Sequence, residues 1–308
     1  MLSVCLPVYR YDARALVREL LRQAAALPEV DFEVLVYDDA SPDDGDWGRA
    51  ELRATAGIRY VELPENLGRA AIRNRMVRDA ARPFVVLMDA DGWPNREFLE
   101  RWVDAVITLQ IDHPDFVSTG GRLYAPDPPD DAALHLHWRY GTKRESRSLA
   151  RREREGWLGF QSNNFMAPRR LLLAHPFPEN SIGYGHEDTW WGQRFVGSEV
   201  QLFPWQNLVI HLGLEPTDVF LAKQRQAIRN LRLLKNEHPH LRTRLTDLVE
   251  KLPFLLKPAN LIPEKILIRH LTNRARPNLY VLDLLKLRWW ATNRPIDQNT
   301  IPPAINYP

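Results

Sequence analysis

Two acidic clusters carry the residues best suited to chemistry. In "VVLMDADGWPN", Asp89 and Asp91 stand two apart, directly after the apolar run Phe84–Met88. On an extended backbone, residues at that spacing face the same way. Two hard oxygen ligands aimed together suit Mg²⁺ or Mn²⁺, and such a metal is usually shared with a substrate phosphate. Gly92 and Pro94 close the run and set this Asp-x-Asp apart from chance surface pairs. The second cluster is "IGYGHEDTWW", where His186, Glu187 and Asp188 lie between glycines and the pair Trp190–Trp191. Acids alone are usually solvated surface. Here Gly183 and Gly185 would let the backbone bend tightly and admit a substrate, so the segment reads as a shaped pocket.

Two further groups fall at comparable places. "YDDASPDD" puts Asp38 and Asp39 at the end of another apolar run. An acid there can accept hydrogen bonds from a nucleobase or ribose, or act as a turn or helix-capping acid. In "ENLGRAAIRNRM", Arg69 and Arg73 are four apart and share a face of a helix that begins near Gly68. Arginines at a helix start, beside outward-pointing N–H groups, suit a diphosphate; the alternative is an ion pair with nearby aspartates.

The elements that must position these residues alternate in period. "LSVCLPVY", "FEVLVYDDA", "IRYVEL" and "PFVVLMDAD" read as short buried strands. Between them, helices are predicted after Asp12, an expected N-cap, and over Gly68–Ala81. Alternating strands and helices predict an α/β fold with a mostly parallel sheet covered on both faces, ligands binding beyond the strands' carboxyl ends. Both strand-end acidic pairs lie there. A helix over 95–109 and a strand in "FVSTGGRLYA" follow. The segment "RYGTKRESRSLARRERE" holds seven basic residues and reads either as solvated surface or as a mobile loop that meets phosphate. From about Pro216 the chain is helical and punctuated by proline, with Leu/Ile mixed with Lys/Arg and Trp. That pattern suits a packed appendage, a dimer surface or a membrane-interface helix.

The 308-residue chain has a formal net charge of +2, so charge alone implies no nucleic acid partner. The single cysteine, Cys5, sits in an apolar run and reads as a buried structural thiol, which fits a reducing compartment. No signal peptide or spanning segment is recognised, so the expected location is cytoplasmic, at most peripheral at the inner face of the membrane. No Gly-x-Gly-x-x-Gly follows the first strand, which disfavours a dehydrogenase. "PVYRYDARA" lacks the Gly-rich phosphate loop of a sugar-nucleotidyltransferase.

Taken in order, "VCLPVYR", "EVLVYDDASPDD", "ENLGRAAIRNRM", "VVLMDADGWPN" and "GYGHEDTWWGQRF" resemble the family 2 glycosyltransferases with the GT-A fold, over about residues 1–215. "LHWRYGTKRE…SNNFM…GYGHEDTWWG" is similar to bacterial members that build cell-surface polysaccharides. The resemblance implies a GT-A domain at 1–215, with a nucleotide-binding half at 1–91 and an acceptor half at 92–215, and a helical region at 216–308. Pro7, Val8 and Tyr9 would lie against the nucleobase and Asp39 would pair with it. Asn66, Gly68, Arg69 and Arg73 would flank the nucleotide. Asp89, Ala90 and Asp91 form the metal and ribose segment, with His211 of "LVIHLG" as a third ligand to Mn²⁺ or Mg²⁺. Asp188 falls at the catalytic base, with Glu187 beside it for the acceptor. His186, Trp190 and Trp191 depart from the family pattern at positions that bear on the acceptor. One tryptophan is expected to stack on a sugar and the other to pack. The Gln-x-x-Arg-Trp motif and membrane helices of processive synthases are absent.

The activity implied is inverting, metal-dependent transfer from a nucleotide-diphospho-sugar, a UDP-sugar, to a glycan or lipid-linked acceptor. The rival readings are a catalytically inactive glycan- or nucleotide-binding relic and the nucleotidyltransferase.

Overall fold

The computed structural model describes residues 1–179, 185–272 and 274–292. By internal contacts the chain forms two compact units. The first comprises Met1–Ala125, Glu145–Glu179 and Trp191–Gly213; the second comprises Pro126–Arg144, Asn180–Trp190 and Leu214–Pro308.

The first unit is mixed α/β. Its strands are β1 (Leu2–Val8), β2 (Phe32–Asp38), β3 (Ile58–Glu62), β4 (Phe84–Met88), β5 (Gly92–Pro94), β6 (Phe116–Thr119), β7 (Arg122–Leu123), β8 (Asn164–Pro168), β9 (Gln201–Pro204) and β10 (Val209–His211). Seven of them make one sheet in the order β3-β2-β1-β4-β8-β6-β9. Every pairing in it is parallel except those of β8 with β4 and with β6. The expected mostly parallel sheet is therefore present. A small sheet, β5-β10-β7, stands beside it in the order of pairing. The predicted strand "FVSTGGRLYA" divides at Gly120–Gly121, so β6 joins one sheet and β7 the other.

β1 is apolar on both faces because both are covered, as a central parallel strand requires. Leu2, Val4, Leu6 and Val8 pack with Leu16, Val17 and Leu20 of the helix Arg14–Ala25 and with Phe98, Trp102 and Val106 of the helix Phe98–Leu109. Each fully buried side chain of this kind contributes about 1.5–3 kcal/mol. The first helix has Ala13, not the expected Asp12, at its N-cap; Asp12 lies one residue earlier and accepts the Arg14 N–H at 3.0 Å, in the turn that leads into the helix. Burial pushes the Cys5 thiol far up, as a structural cysteine requires.

The second unit is helical. Thr217–Glu237, Arg244–Lys251, Leu256–Leu261, Glu264–Leu271 and Leu279–Thr292 follow one another, with His135–Tyr140 added from earlier in the chain. Leu136, Phe220, Ile228, Leu271, Leu282 and Trp289 share one apolar cluster, so these helices have a core of their own. Among the described residues no helix is long and apolar enough to cross a membrane.

Much of the basic segment is already engaged. Arg144 pairs with Asp283 at 2.7 Å within the second unit, while Arg147 and Arg151 both meet Glu155 within the first. Arg152 is buried and donates to the carbonyls of Thr119 and Trp205 at 2.7 and 2.9 Å. It ties strand ends together.

Candidate active site

The carboxyl ends of β1, β2 and β4 gather the expected donor-side residues. Pro7 and Val8 end β1, and Tyr9 follows, 39% exposed. The Val8 carbonyl accepts the Asp39 N–H at 2.8 Å, which fixes Asp39 beside β1. Both Asp39 oxygens accept backbone N–H groups, from Leu67 at 2.7 Å and Gly68 at 3.0 Å, and Asn66 Nδ2 donates to the Asp39 carbonyl at 2.9 Å. Burial pushes the Asp39 carboxyl up, against the pull of those two N–H groups. Asp38 has taken the turn role instead, accepting from Ser41 N and Arg49 Nε, each at 2.9 Å. Arg10 and Ala40 hold positive φ, of 50° and 55°, at the same strand ends. Strained backbone of that kind gathers at functional sites.

Asp89 and Asp91 are engaged by different partners. β4 ends at Met88, and Gly92 N–H closes a turn onto the Asp89 carbonyl at 3.0 Å. The extended alternation that would aim both carboxylates alike stops there. Asp89 meets three arginines: Arg73 at 2.6 Å, Arg69 at 3.2 Å and Arg122 at 3.5 Å. Burial would raise its carboxyl, but the three guanidinium groups outweigh burial and hold it well below the usual range. Arg73 is itself only 2% exposed and lies over the Phe177 ring at 5.8 Å.

Asp91 faces His211 instead, with Oδ1 3.2 Å from Nδ1. β10 carries the histidine to this place by pairing His211 with Gly92, and Leu212 N–H donates to the Asp91 carbonyl at 2.8 Å. Among the described residues, Asp91 Oδ1 is buried and accepts no hydrogen bond. Gly213 leaves room for the carboxylate, since a Cβ there would collide with it. A hard oxygen beside an imidazole nitrogen fits Mn²⁺ or Mg²⁺. Among the described residues no three His, Cys, Asp or Glu side chains converge, so this pair needs ligands from elsewhere to fill a coordination shell.

A part-buried network beside Asp89 goes beyond the residues to which the sequence points. Arg122 bridges Asp89 and Glu145, at 3.5 and 2.9 Å, and Tyr124 O–H donates to Glu145. The Tyr124 ring lies 5.0 Å from that of His211. Its signal was "GGRLY", where a glycine pair breaks the strand and turns Arg122 inward.

In the second unit, Gly183 lies outside the described residues. Gly185 has φ +104°, and a Cβ there would come within 2.6 Å of Ala227 Cβ. His186 follows at φ 70°, a rare conformation for a residue with a side chain. The helix Glu187–Gln193 then starts with two acids in its first turn, where they complement the helix dipole. Glu187 is buried, while Asp188 is part-exposed and accepts the Thr189 N–H at 2.7 Å. Burial pushes the His186 imidazole down to about 4. Trp190 packs with Leu231, Leu234 and Leu241, its ring 5.1 Å from His238.

Trp191, in the first unit, is fully buried, stacks on Phe177 at 4.9 Å and donates to the His175 carbonyl at 2.7 Å. Both tryptophans therefore pack, but Trp191 has no ring face open to a sugar, whereas Trp190 is only half-buried.

A family model described as Glycosyl transferase family 2 matches residues 3–173. Over 92 residues the chain is 33% identical to the succinoglycan biosynthesis protein ExoU of Rhizobium meliloti (strain 1021), covering 30% of this chain and 27% of that protein. Over 116 residues it is 30% identical to the poly(ribitol-phosphate) beta-N-acetylglucosaminyltransferase TarS of Staphylococcus aureus (strain Mu50 / ATCC 700699), covering 37% of this chain and 19% of that one. The match thus spans about a quarter or less of these curated relatives. Among solved structures, a glucosyl-3-phosphoglycerate synthase from Mycobacterium tuberculosis aligns at a TM-score of 0.49 and 22% identity, covering 75% of this chain and 78% of that one. The family model takes in more than half of the sequence, together with four of the five motifs that carry the resemblance: the chain belongs to glycosyl transferase family 2.

Proposed function

We propose that this chain is an inverting glycosyltransferase that uses a divalent metal. It moves a sugar from a nucleotide-diphospho-sugar, read as a UDP-sugar, to a hydroxyl of a glycan or lipid-linked glycan in surface-polysaccharide assembly. The observation that carries the reading is the arginine-bound Asp89 next to the Asp91–His211 pair, at the carboxyl edge of a parallel sheet. Family membership supports the class of reaction. The names of ExoU and TarS, a succinoglycan biosynthesis protein and a transferase acting on poly(ribitol-phosphate), support the setting.

Each residue then has a task in its own unit. Asp91 and His211 would hold the metal, which supplies positive charge to the leaving diphosphate. Arg69, at the start of its helix and 43% exposed in its side chain, is placed to meet a phosphate oxygen. Arg73 and Arg122 keep Asp89 ionised and fixed, so that it can accept a ribose hydroxyl. Asp39, already held by the loop at 66–68, orients that loop and Tyr9 toward the base. Asp188 takes the acceptor's proton as its oxygen attacks the anomeric carbon. Glu187 and Trp190 bind the acceptor.

Thermal shift with UDP, GDP, CMP and dTDP, each with and without Mn²⁺, tests the donor half. Ligands that bind the folded state raise its melting temperature by mass action. A shift for UDP that requires Mn²⁺ is expected. The same shift for GDP or dTDP would replace the nucleotide and keep the mechanism, and no shift with any of them would return the chain to a glycan-binding reading.

A further inference from the structure

One buried side chain near Asp89 has no role in the contacts described so far. Asn163 is 4% exposed, and neither its carboxamide nitrogen nor its oxygen has a hydrogen-bond partner among the described residues. The neighbouring Asn164 behaves differently, its nitrogen donating to the carbonyls of Gly121 and Asn207 at 3.1 and 2.7 Å. A buried amide without partners has given up its hydrogen bonds to water for nothing in return, a state that folded proteins largely avoid. A ligand would return them.

The sheet register says where that ligand lies. β4 and β8 run antiparallel with Met88 opposite Asn164. One step further, Asp89 N–H donates to the Asn163 carbonyl at 2.9 Å, so Asn163 stands across from Asp89. Asn163 stands one residue before β8 and Asp89 one residue after β4, so this backbone bond brings the orphaned amide's residue to the strand end that carries the arginine-bound Asp89. Arg73 reaches Asp89 there from over the Phe177 ring. Asn163 therefore belongs to the arginine-lined sheet edge.

We infer that the Asn163 carboxamide is a specificity-determining residue that binds hydroxyls of the donor's sugar. The inference rests on the sugar-nucleotide reading above and names a contact within it. A carboxamide has N–H donors and a carbonyl acceptor side by side and carries no charge. Neighbouring sugar hydroxyls offer the same two roles in return. A phosphate could use only the donors and has the arginines; a cation could use only the carbonyl and has Asp91 with His211. A donor sugar lacking the matching hydroxyl leaves both amide atoms unsatisfied, and buried polar groups discriminate strongly in that situation.

The test measures binding of UDP, UDP-glucose, UDP-galactose and UDP-N-acetylglucosamine by calorimetry, with Mn²⁺, to wild type, Asn163→Leu and Asn163→Ala. Both variants should bind UDP within about twofold of wild type and lose about tenfold or more for the UDP-sugar that wild type binds best. Asn163→Leu removes the orphaned amide at similar volume, so its melting temperature should rise by about 2 °C. An amide kept for structure would lower it. Equal losses for UDP and UDP-sugar, or no loss for either, overturn the inference. Should the leucine variant fail to fold, the selectivity of Asn163→Ala decides. If wild type binds UDP-sugars and Asn163→Ala binds them equally well, only this inference falls. If wild type binds none of the four compounds, the UDP-sugar reading falls and takes this one with it.

Discussion

Negative charge is held in two different ways in the two units. At the sheet edge of the first, Asp89 and Asp38 are held by opposite charge, three arginines on the one and Arg49 on the other, while Asp39 is held by the N–H groups of Leu67 and Gly68. In the His186–Asp188 segment of the second, backbone conformation sets where the acids stand. Gly185 and His186 are both left-handed, the helix starts at once, and Asp188 accepts the N–H of the next residue. Opposite charge fixes an ionised group that need not change state during a reaction. A carboxylate that must accept a proton is better placed by conformation, since a neighbouring guanidinium would lower its basicity. On the proposed reading, the difference between Asp89 and Asp188 is that between a binding residue and a proton acceptor, and it predicts which substitutions damage stability and which damage turnover.

The largest effect should come from Asp188→Asn. It keeps the shape and the helix start while removing the base, so transfer should fall by about 10²–10⁴-fold with nucleotide affinity nearly unchanged. Nucleoside diphosphate release during transfer and calorimetry with the nucleotide measure the two quantities separately. Full turnover in this variant would end the assignment.

Next come the two arginines that differ in burial. Arg73→Ala removes a 2%-exposed partner and leaves the part-buried Asp89 with one close partner fewer. Breaking a buried pair costs several kcal/mol; with Arg69 and Arg122 still present, about 2–3 kcal/mol is expected in denaturant melts. Arg69→Ala should cost under about 1 kcal/mol, as exposed pairs do. Its loss should appear in nucleotide affinity. Equal effects on stability would erase the distinction between holding Asp89 and meeting phosphate.

How far the sequence was legible follows from where its signals are local. Strands such as "LSVCLPV" and "FEVLVYD" announce themselves, because both faces of a central parallel strand are apolar. Acids at strand ends follow from the same reading. The divergence of Asp89 and Asp91 does not, because a turn closed by Gly92 interrupts the alternation on which their shared direction depended. Arg122, Tyr124 and Glu145 were missed because their partners are long-range: residues 23 and 21 apart in sequence meet through charge that no periodicity records. Asn163, in "SNNFM", carries no local signal, since an orphaned amide is visible only once burial and partners are known. The tryptophan pair shows the converse. That one would pack was legible; that Trp191 is the one with no open ring face required seeing the aromatic cluster around it.

Gly185→Ala probes the conformational hold directly. The new Cβ would meet Ala227 at 2.6 Å, on a backbone at φ +104°. A strained residue of this kind costs about 1–3 kcal/mol, read as a lower melting temperature. Because the same backbone places Asp188, turnover should fall in parallel. A stability loss with unchanged turnover would detach the acids from the turn that precedes them.

The smallest effect concerns pH and His186. Burial lowers its pKa to about 4 from the ordinary 6.5; the Glu187 carboxylate pulls it partly back up, and the Lys286 ammonium adds to the lowering. The folded state therefore keeps the imidazole neutral at pH values where the unfolded chain protonates it. Its contribution is fully present above about pH 6.5 and is lost as pH falls from 6.5 toward 4. Asn in its place cannot take up the proton. The melting temperature of His186→Asn should consequently fall less steeply than that of wild type between pH 7 and pH 5, by about 1–2 °C over that interval. Parallel curves would mean that His186 is solvated enough to protonate in place, and the turn before Asp188 would then lose its neutral, desolvated character.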